Sequence, residues 1–90
     1  MPNWSWPEFE WDEDNIEHIL ERHNVDLEEA EQVFYNGPYV RRDGEVYRVH
    51  GQDDAGRYLL IICVLRGTLT RVISARDMSP KERKSYERHR

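Results

Sequence analysis

Ninety residues with 38% hydrophobic and 34% charged side chains and a net charge of −5 describe one small domain with a heavily charged surface. A chain this short buries only roughly 60% of the surface its unfolded form exposes, so its core is modest. The single cysteine, Cys63, excludes an internal disulfide framework and suits a reducing compartment, and the longest apolar run, Tyr58 to Leu65, is too short for a membrane-spanning helix.

No secretory signal is recognisable, and the expected location is the cytoplasm. Met1 to Glu8, with Pro2, Pro7, Trp4 and Trp6, reads as an irregular arm whose tryptophans dock on the domain itself or on a partner. Phe9-Glu10-Trp11 alternates and can form a short strand. Asp12 caps a helix reaching about His23, with Ile16, Ile19, Leu20 and His23 at i, i+3, i+4 and i+7. Asn24 tolerates the left-handed conformation that ends it. Asp26 and Glu29 form a capping box for a second helix that turns Leu27, Ala30, Val33 and Phe34 inward and stops at Asn36-Gly37-Pro38.

Strands follow. Tyr39 to Arg42, an Asp43-Gly44 turn and Glu45 to Gln52 read as a hairpin. Asp53 to Gly56 turns the chain into Arg57 to Leu65, whose unbroken apolar character marks a central strand covered on both faces, with Cys63 a small buried hydrophobe. Arg66-Gly67 turns again into Thr68 to Ala75. Ser79, Pro80 and Glu82 then open a helix: Ser79 caps, Pro80 suits the first turn, and Glu82 closes a capping box. That helix carries Arg83, Lys84, Tyr86, Arg88 and Arg90 with almost no apolar face, which fits a binding surface and a solvated terminus alike. The expected fold is a single α+β domain over residues 1–90, with two N-terminal helices, a four-stranded antiparallel sheet and a C-terminal helix.

Charge is unevenly spread. Residues 1–36 hold eleven acidic side chains against one basic (Arg22), and residues 37–90 hold twelve basic against seven acidic. The whole chain argues against nucleic acid and the second half permits it; two differently charged solvated faces fit equally. Gly51 to Tyr58 has the glycine spacing of a phosphate-binding loop, but Asp53 and Asp54 would repel phosphate, Arg57-Tyr58 stands where Lys-Ser is required, and a strand follows. His18 and His23 are five apart and so do not share a helix face as metal ligands would. No cluster has zinc spacing, and nothing local supports a Ser-His-Asp arrangement.

His23, at the end of an apolar helix stripe, fits a packing or capping role and a catalytic one. In the strand from Glu45, Tyr47 and Val49 share one face and leave Arg48 and His50 together on the other. A cation beside a titratable imidazole can handle a phosphodiester; a solvated strand face fits as well. Arg76 at a strand end, and Arg83 with Tyr86 on the last helix, add donors, and the guanidinium fork matches phosphate. Metal-independent RNA cleavage needs a base for the 2′-hydroxyl, cations for the phosphorane and an acid for the leaving oxygen. His50 or His23 can be base or acid, Arg48, Arg76 and Arg83 stabilisers, and Tyr86 can stack or move a proton.

Phe9-Glu10-Trp11-Asp12, Arg22-His23, Val25 with Glu28-Glu29-Ala30 and Val33-Phe34, Gly56-Arg57, and Ile73-Ser74-Ala75-Arg76 followed by Glu82-Arg83 and Tyr86 occur in a characteristic order. Over Phe9 to Tyr86 the chain thereby resembles the BrnT family of type II toxins, which share the RelE-like ribonuclease fold. The resemblance implies a small ribosome-independent RNA endonuclease, neutralised by a cognate antitoxin that also binds operator DNA, and the cleavage expected of its residues needs no metal ion. It further implies a hetero-oligomer with that antitoxin; RNA is the expected substrate, a homodimer the alternative assembly, and no cofactor is expected. The expected catalytic set is His50, Arg48, Arg76, Tyr86 and His23, with Arg57, Arg71 and Arg83 on the RNA and no metal. Asn24 replaces the glycine usual after the histidine, and Val46 stands where an arginine is expected, with Arg48 a substitute on the same strand face. The acidic first half, the tryptophan arm and Val46 support a rival: a non-catalytic interaction module of the same fold.

Overall fold

The computed structural model describes residues 8–90. The expected arm, apart from Glu8, lies outside them. The elements in chain order are β1 (Glu8–Glu10), α1 (Glu13–His23), α2 (Leu27–Tyr35), β2 (Tyr39–Asp43), β3 (Val46–Gln52), β4 (Tyr58–Arg66), β5 (Leu69–Asp77) and α3 (Pro80–His89). The sheet order is β1-β5-β4-β3-β2. Four strands form the antiparallel meander, and β1 adds a fifth, parallel to β5, with Phe9 opposite Thr70.

The α+β class stands, with a correction. The sheet is mixed and five-stranded, not four-stranded and antiparallel, and a strand precedes the two N-terminal helices. Three alternating residues can suggest a strand, but they carry no information about a partner some sixty residues away.

All three helices begin with reciprocal capping boxes: Asp12 with Asn15, Asp26 with Glu29, and Ser79 with Glu82. Each satisfies two otherwise orphaned backbone groups. Asn24 ends α1 in the left-handed conformation, at φ 53°. Asn15 does more than cap. It is buried, and its Nδ2 donates to the Val72 carbonyl oxygen at 2.9 Å and the Glu10 carbonyl oxygen at 3.0 Å, tying α1 to β5 and to the end of β1.

Helices α1 and α2 cover one face of the sheet. Ile19, Val25, Ala30, Val33 and Phe34 pack there against Val49, Leu59, Ile61, Cys63, Val72 and Ala75. Each large aliphatic or aromatic side chain buried this way contributes roughly 1.5–3 kcal/mol. Burial pushes the Cys63 thiol up to about 12, so it acts as a hydrophobe. Gly51 lets this layer approach closely: a Cβ there would lie 2.9 Å from Val33 Cγ1 and 3.3 Å from Pro38 Cβ.

The second face, called outer below, is partly covered by α3. Leu60 points to it and is fully buried, and Tyr86 of α3 is only 3% exposed, edge-on to Tyr58 of β4. The last helix therefore buries one aromatic side chain rather than an apolar stripe. Among the described residues no helix is long and apolar enough to cross a membrane.

Candidate active site

Strand register assembles the site. Across β2, β3, β4 and β5, one row on the outer face reads Tyr39, His50, Leu60, Arg76; the next reads Arg41, Arg48, Ile62, Ser74. Rows two residues apart along a strand are separated by roughly 7 Å. Two arginines and one imidazole thus occupy adjacent cross-strand positions, and α3 borders them. The resulting groove, about 430 Å³, is lined by Arg41, Arg42, Asp43, Arg48, His50, Lys81, Glu82 and Ser85. Its volume is that of a small-molecule or single-nucleotide site.

His50 sits at its base. It is 8% exposed, and its Nδ1 is buried without a hydrogen-bond partner among the described residues. Burial pulls its pKa below the usual 6.5, assisted by the positive charges of Arg41 and Arg48 and opposed by the Glu82 carboxylate and a backbone hydrogen bond at Tyr39. At neutral pH the ring is therefore mostly uncharged, the form that accepts a proton. Among the described residues Arg48 makes one long ion pair, Nε to Asp43 Oδ2 at 3.5 Å, and its side chain is 42% exposed. Its guanidinium retains donors for an incoming anion.

Arg76 reaches the groove through Glu82. Its Nη1 and Nη2 donate to Glu82 Oε1 and Oε2 at 2.7 and 2.8 Å, a bidentate pair. Arg76 and the Ser79 cap together hold the Glu82 carboxyl down to about 2. Glu82 thus closes the cap of α3, docks the helix on β5 and places a fixed negative charge facing His50.

The remaining expected site residues lie elsewhere. Tyr86 packs on Tyr58 and borders a separate depression with Gln52, Asp53 and Arg90; burial raises its hydroxyl pKa. Arg83 lays its guanidinium over the Tyr58 ring, 3.8 Å from the centroid, and Tyr58 donates its hydroxyl to Glu87 at 2.7 Å. His23 ends α1 on the helix-covered side, where its carbonyl accepts from Arg57 Nη2 at 3.2 Å. Arg57 is engaged at every nitrogen: Nε and Nη2 bind Asp77 at 2.8 and 3.2 Å, and Nη1 binds the Asn24 carbonyl at 2.8 Å and Glu29 at 3.3 Å. Arg71 pairs with Asp12 at 2.8 Å and Glu10 at 3.5 Å beside β1, at the opposite edge of the sheet from β2.

The structure therefore brings together Arg48 and His50, connects Arg76 to them through Glu82, and leaves His23, Arg57 and Arg71 apart. Arg41 and Lys81 were not singled out from sequence. The hairpin turn is Gly44-Glu45, since Asp43 pairs with Val46. A turn at Asp43-Gly44, as read from sequence, would pair Arg42 with Glu45 and set Arg41 opposite Val46, a register two residues away that hides the Arg41–Arg48 pairing. Among the described residues no group of three or more His, Cys, Asp and Glu side chains gathers to hold a metal.

The family described as "Ribonuclease toxin, BrnT, of type II toxin-antitoxin system" matches residues 11–82. The crystal structure of the Brucella abortus ribonuclease toxin BrnT superposes with a TM-score of 0.64 at 18% identity, covering 81% of this chain and 97% of that one. At that identity the likeness speaks for the fold. No curated protein sequence matches.

Proposed function

The chain belongs to the BrnT family of ribonuclease toxins of type II toxin–antitoxin systems, and from that premise we propose that the groove between β2, β3 and α3 cleaves RNA without a metal ion. One observation carries the reading: Arg41 and Arg48 adjoin a neutral, desolvated His50 in a groove whose opposite wall contributes Lys81. His50 takes the proton of a ribose 2′-hydroxyl, and the oxygen attacks the adjacent phosphorus. Arg48, Arg41 and Lys81 stabilise the dianionic phosphorane. The phosphorus–O5′ bond breaks, leaving a 2′,3′-cyclic phosphate, and the departing 5′-oxygen takes a proton from solvent at the open groove. Arg76 acts through Glu82, which it positions.

A cognate antitoxin that masks this groove or holds α3 away from it is the partner of the reading, and the cytoplasm its setting. A net charge of −5 opposes RNA binding at long range, so affinity rests on the local cluster and falls steeply with salt. The test is end-group analysis of RNA cut in the presence of a chelator. Products with 2′,3′-cyclic phosphate and 5′-hydroxyl ends are expected. Activity that vanishes with the chelator, or that yields 3′-hydroxyl and 5′-phosphate ends, overturns the reading.

A further inference from the structure

At the end of the groove away from the hairpin turn, two rings lie face to face. Tyr39 of β2 and His89 in the last turn of α3 stack with centroids 4.1 Å apart and planes 14° from parallel. Neither belongs to the hydrophobic core. Both touch the groove's lining: Tyr39 lies opposite His50 with its ring centroid 5.8 Å from the imidazole, and His89 Nδ1 lies 2.7 Å from the Ser85 carbonyl oxygen. That carbonyl can only accept, so Nδ1 carries the hydrogen and the ring is held in plane against Tyr39. His89 is exposed.

A π-stack fixed beside a cationic groove suits a substrate that presents a phosphate and an aromatic face one nucleotide apart. Resting on the RNA-cleaving reading above, we infer that the Tyr39–His89 stack is a nucleobase subsite. It takes the unpaired base next to the phosphate held by Arg41, Arg48 and Lys81. The base extends the stack on the His89 side, because His89 is the exposed ring of the pair and Tyr39 is half-buried. This specifies the substrate class. A base inside a duplex is stacked on its neighbours and cannot reach the rings, so the site selects single-stranded RNA, with little preference for base identity because every base has a π-face.

The experiment uses the full chain and a 2′-O-methyl oligoribonucleotide carrying one 2-aminopurine, which lacks the nucleophilic hydroxyl, so binding is read without cleavage. Wild type is expected to bind the single strand and quench the 2-aminopurine, and to bind the corresponding duplex at least tenfold more weakly, on the order of one lost base stack. His89→Ala should lose the quenching and on the order of tenfold in affinity, with its melting temperature unchanged; His89→Trp should restore both. Tyr39→Phe, which keeps the stack, should behave as wild type. Arg48→Ala should instead flatten the salt dependence, since stacking neutralises no phosphate. Wild-type affinity and quenching in His89→Ala, or equal binding of duplex and single strand, overturn the subsite and leave the groove reading standing. No binding by wild type, or unchanged binding by Arg48→Ala, overturns the groove reading and the subsite with it.

Discussion

Arg57, just before β4, and Arg48, on the neighbouring β3, are the same residue type, yet they do opposite things. Arg57 faces the helix-covered side, where its fork bridges Asp77 and Glu29 and closes on the carbonyls of His23 and Asn24 at the end of α1. Every N–H is used, and the guanidinium works as a bolt between β5 and the α1–α2 junction. Arg48 faces the outer side, meets one aspartate at 3.5 Å, and keeps its donors open. The difference teaches that an arginine is a candidate for anion binding only when the fold leaves it unsatisfied. Residue type alone carries no such information.

Arg48→Ala is expected to lower kcat/KM for RNA cleavage about 100-fold or more, the size of losing one positioned stabiliser of developing charge, while the melting temperature stays within a few degrees of wild type. Arg57→Ala should show the reverse order. Removing it leaves Glu29 and two helix-end carbonyls without their partner, costing about 2 kcal/mol once the exposure of Asp77 is allowed for. That corresponds to a melting temperature lowered by roughly 8–16 °C, measurable by circular dichroism. If Arg57→Ala melts like wild type and fails on RNA, the contrast between the two arginines is lost.

Two smaller effects sharpen it through pH. Arg76 holds Glu82 at about 2 against an ordinary 4.5, so the pair's stabilisation is fully present above about pH 4.5 and is lost as pH falls toward 2. Wild type should therefore out-melt Arg76→Ala at neutral pH, with the gap closing across that window. A gap that persists at pH 2 would mean that the pairing is not what separates them. The Glu82 charge also holds the His50 pKa up against its burial. The acidic limb of the kcat/KM profile should therefore lie below pH 6.5, and Glu82→Gln should move it further toward lower pH.

Much of this was legible in the sequence. The Ser79–Glu82 and Asp26–Glu29 boxes announce two helices, the Tyr58 to Leu65 run announces the central strand, and strand alternation separates Arg48 and His50 from Tyr47 and Val49. Local rules suffice because caps and side-chain alternation are set within a few residues. The parallel pairing of β1 with β5, the bond from Asn15 to Val72 and the fate of each arginine depend on distant partners, and no local pattern encodes them. Glu82 shows the limit most plainly. It was legible as a cap residue, but its second role, binding Arg76 across from the groove, appears only when β5 and α3 meet.

The claim on which the rest depends is that a neutral imidazole at the base of the outer-face groove begins RNA cleavage. It is tested by the single-turnover cleavage rate of a labelled RNA, in chelator at pH 7, for wild type and His50→Ala. Wild type should cleave, and the variant should lose at least about 100-fold, with the same melting behaviour and little change in RNA affinity. Equal rates in the two proteins would contradict it.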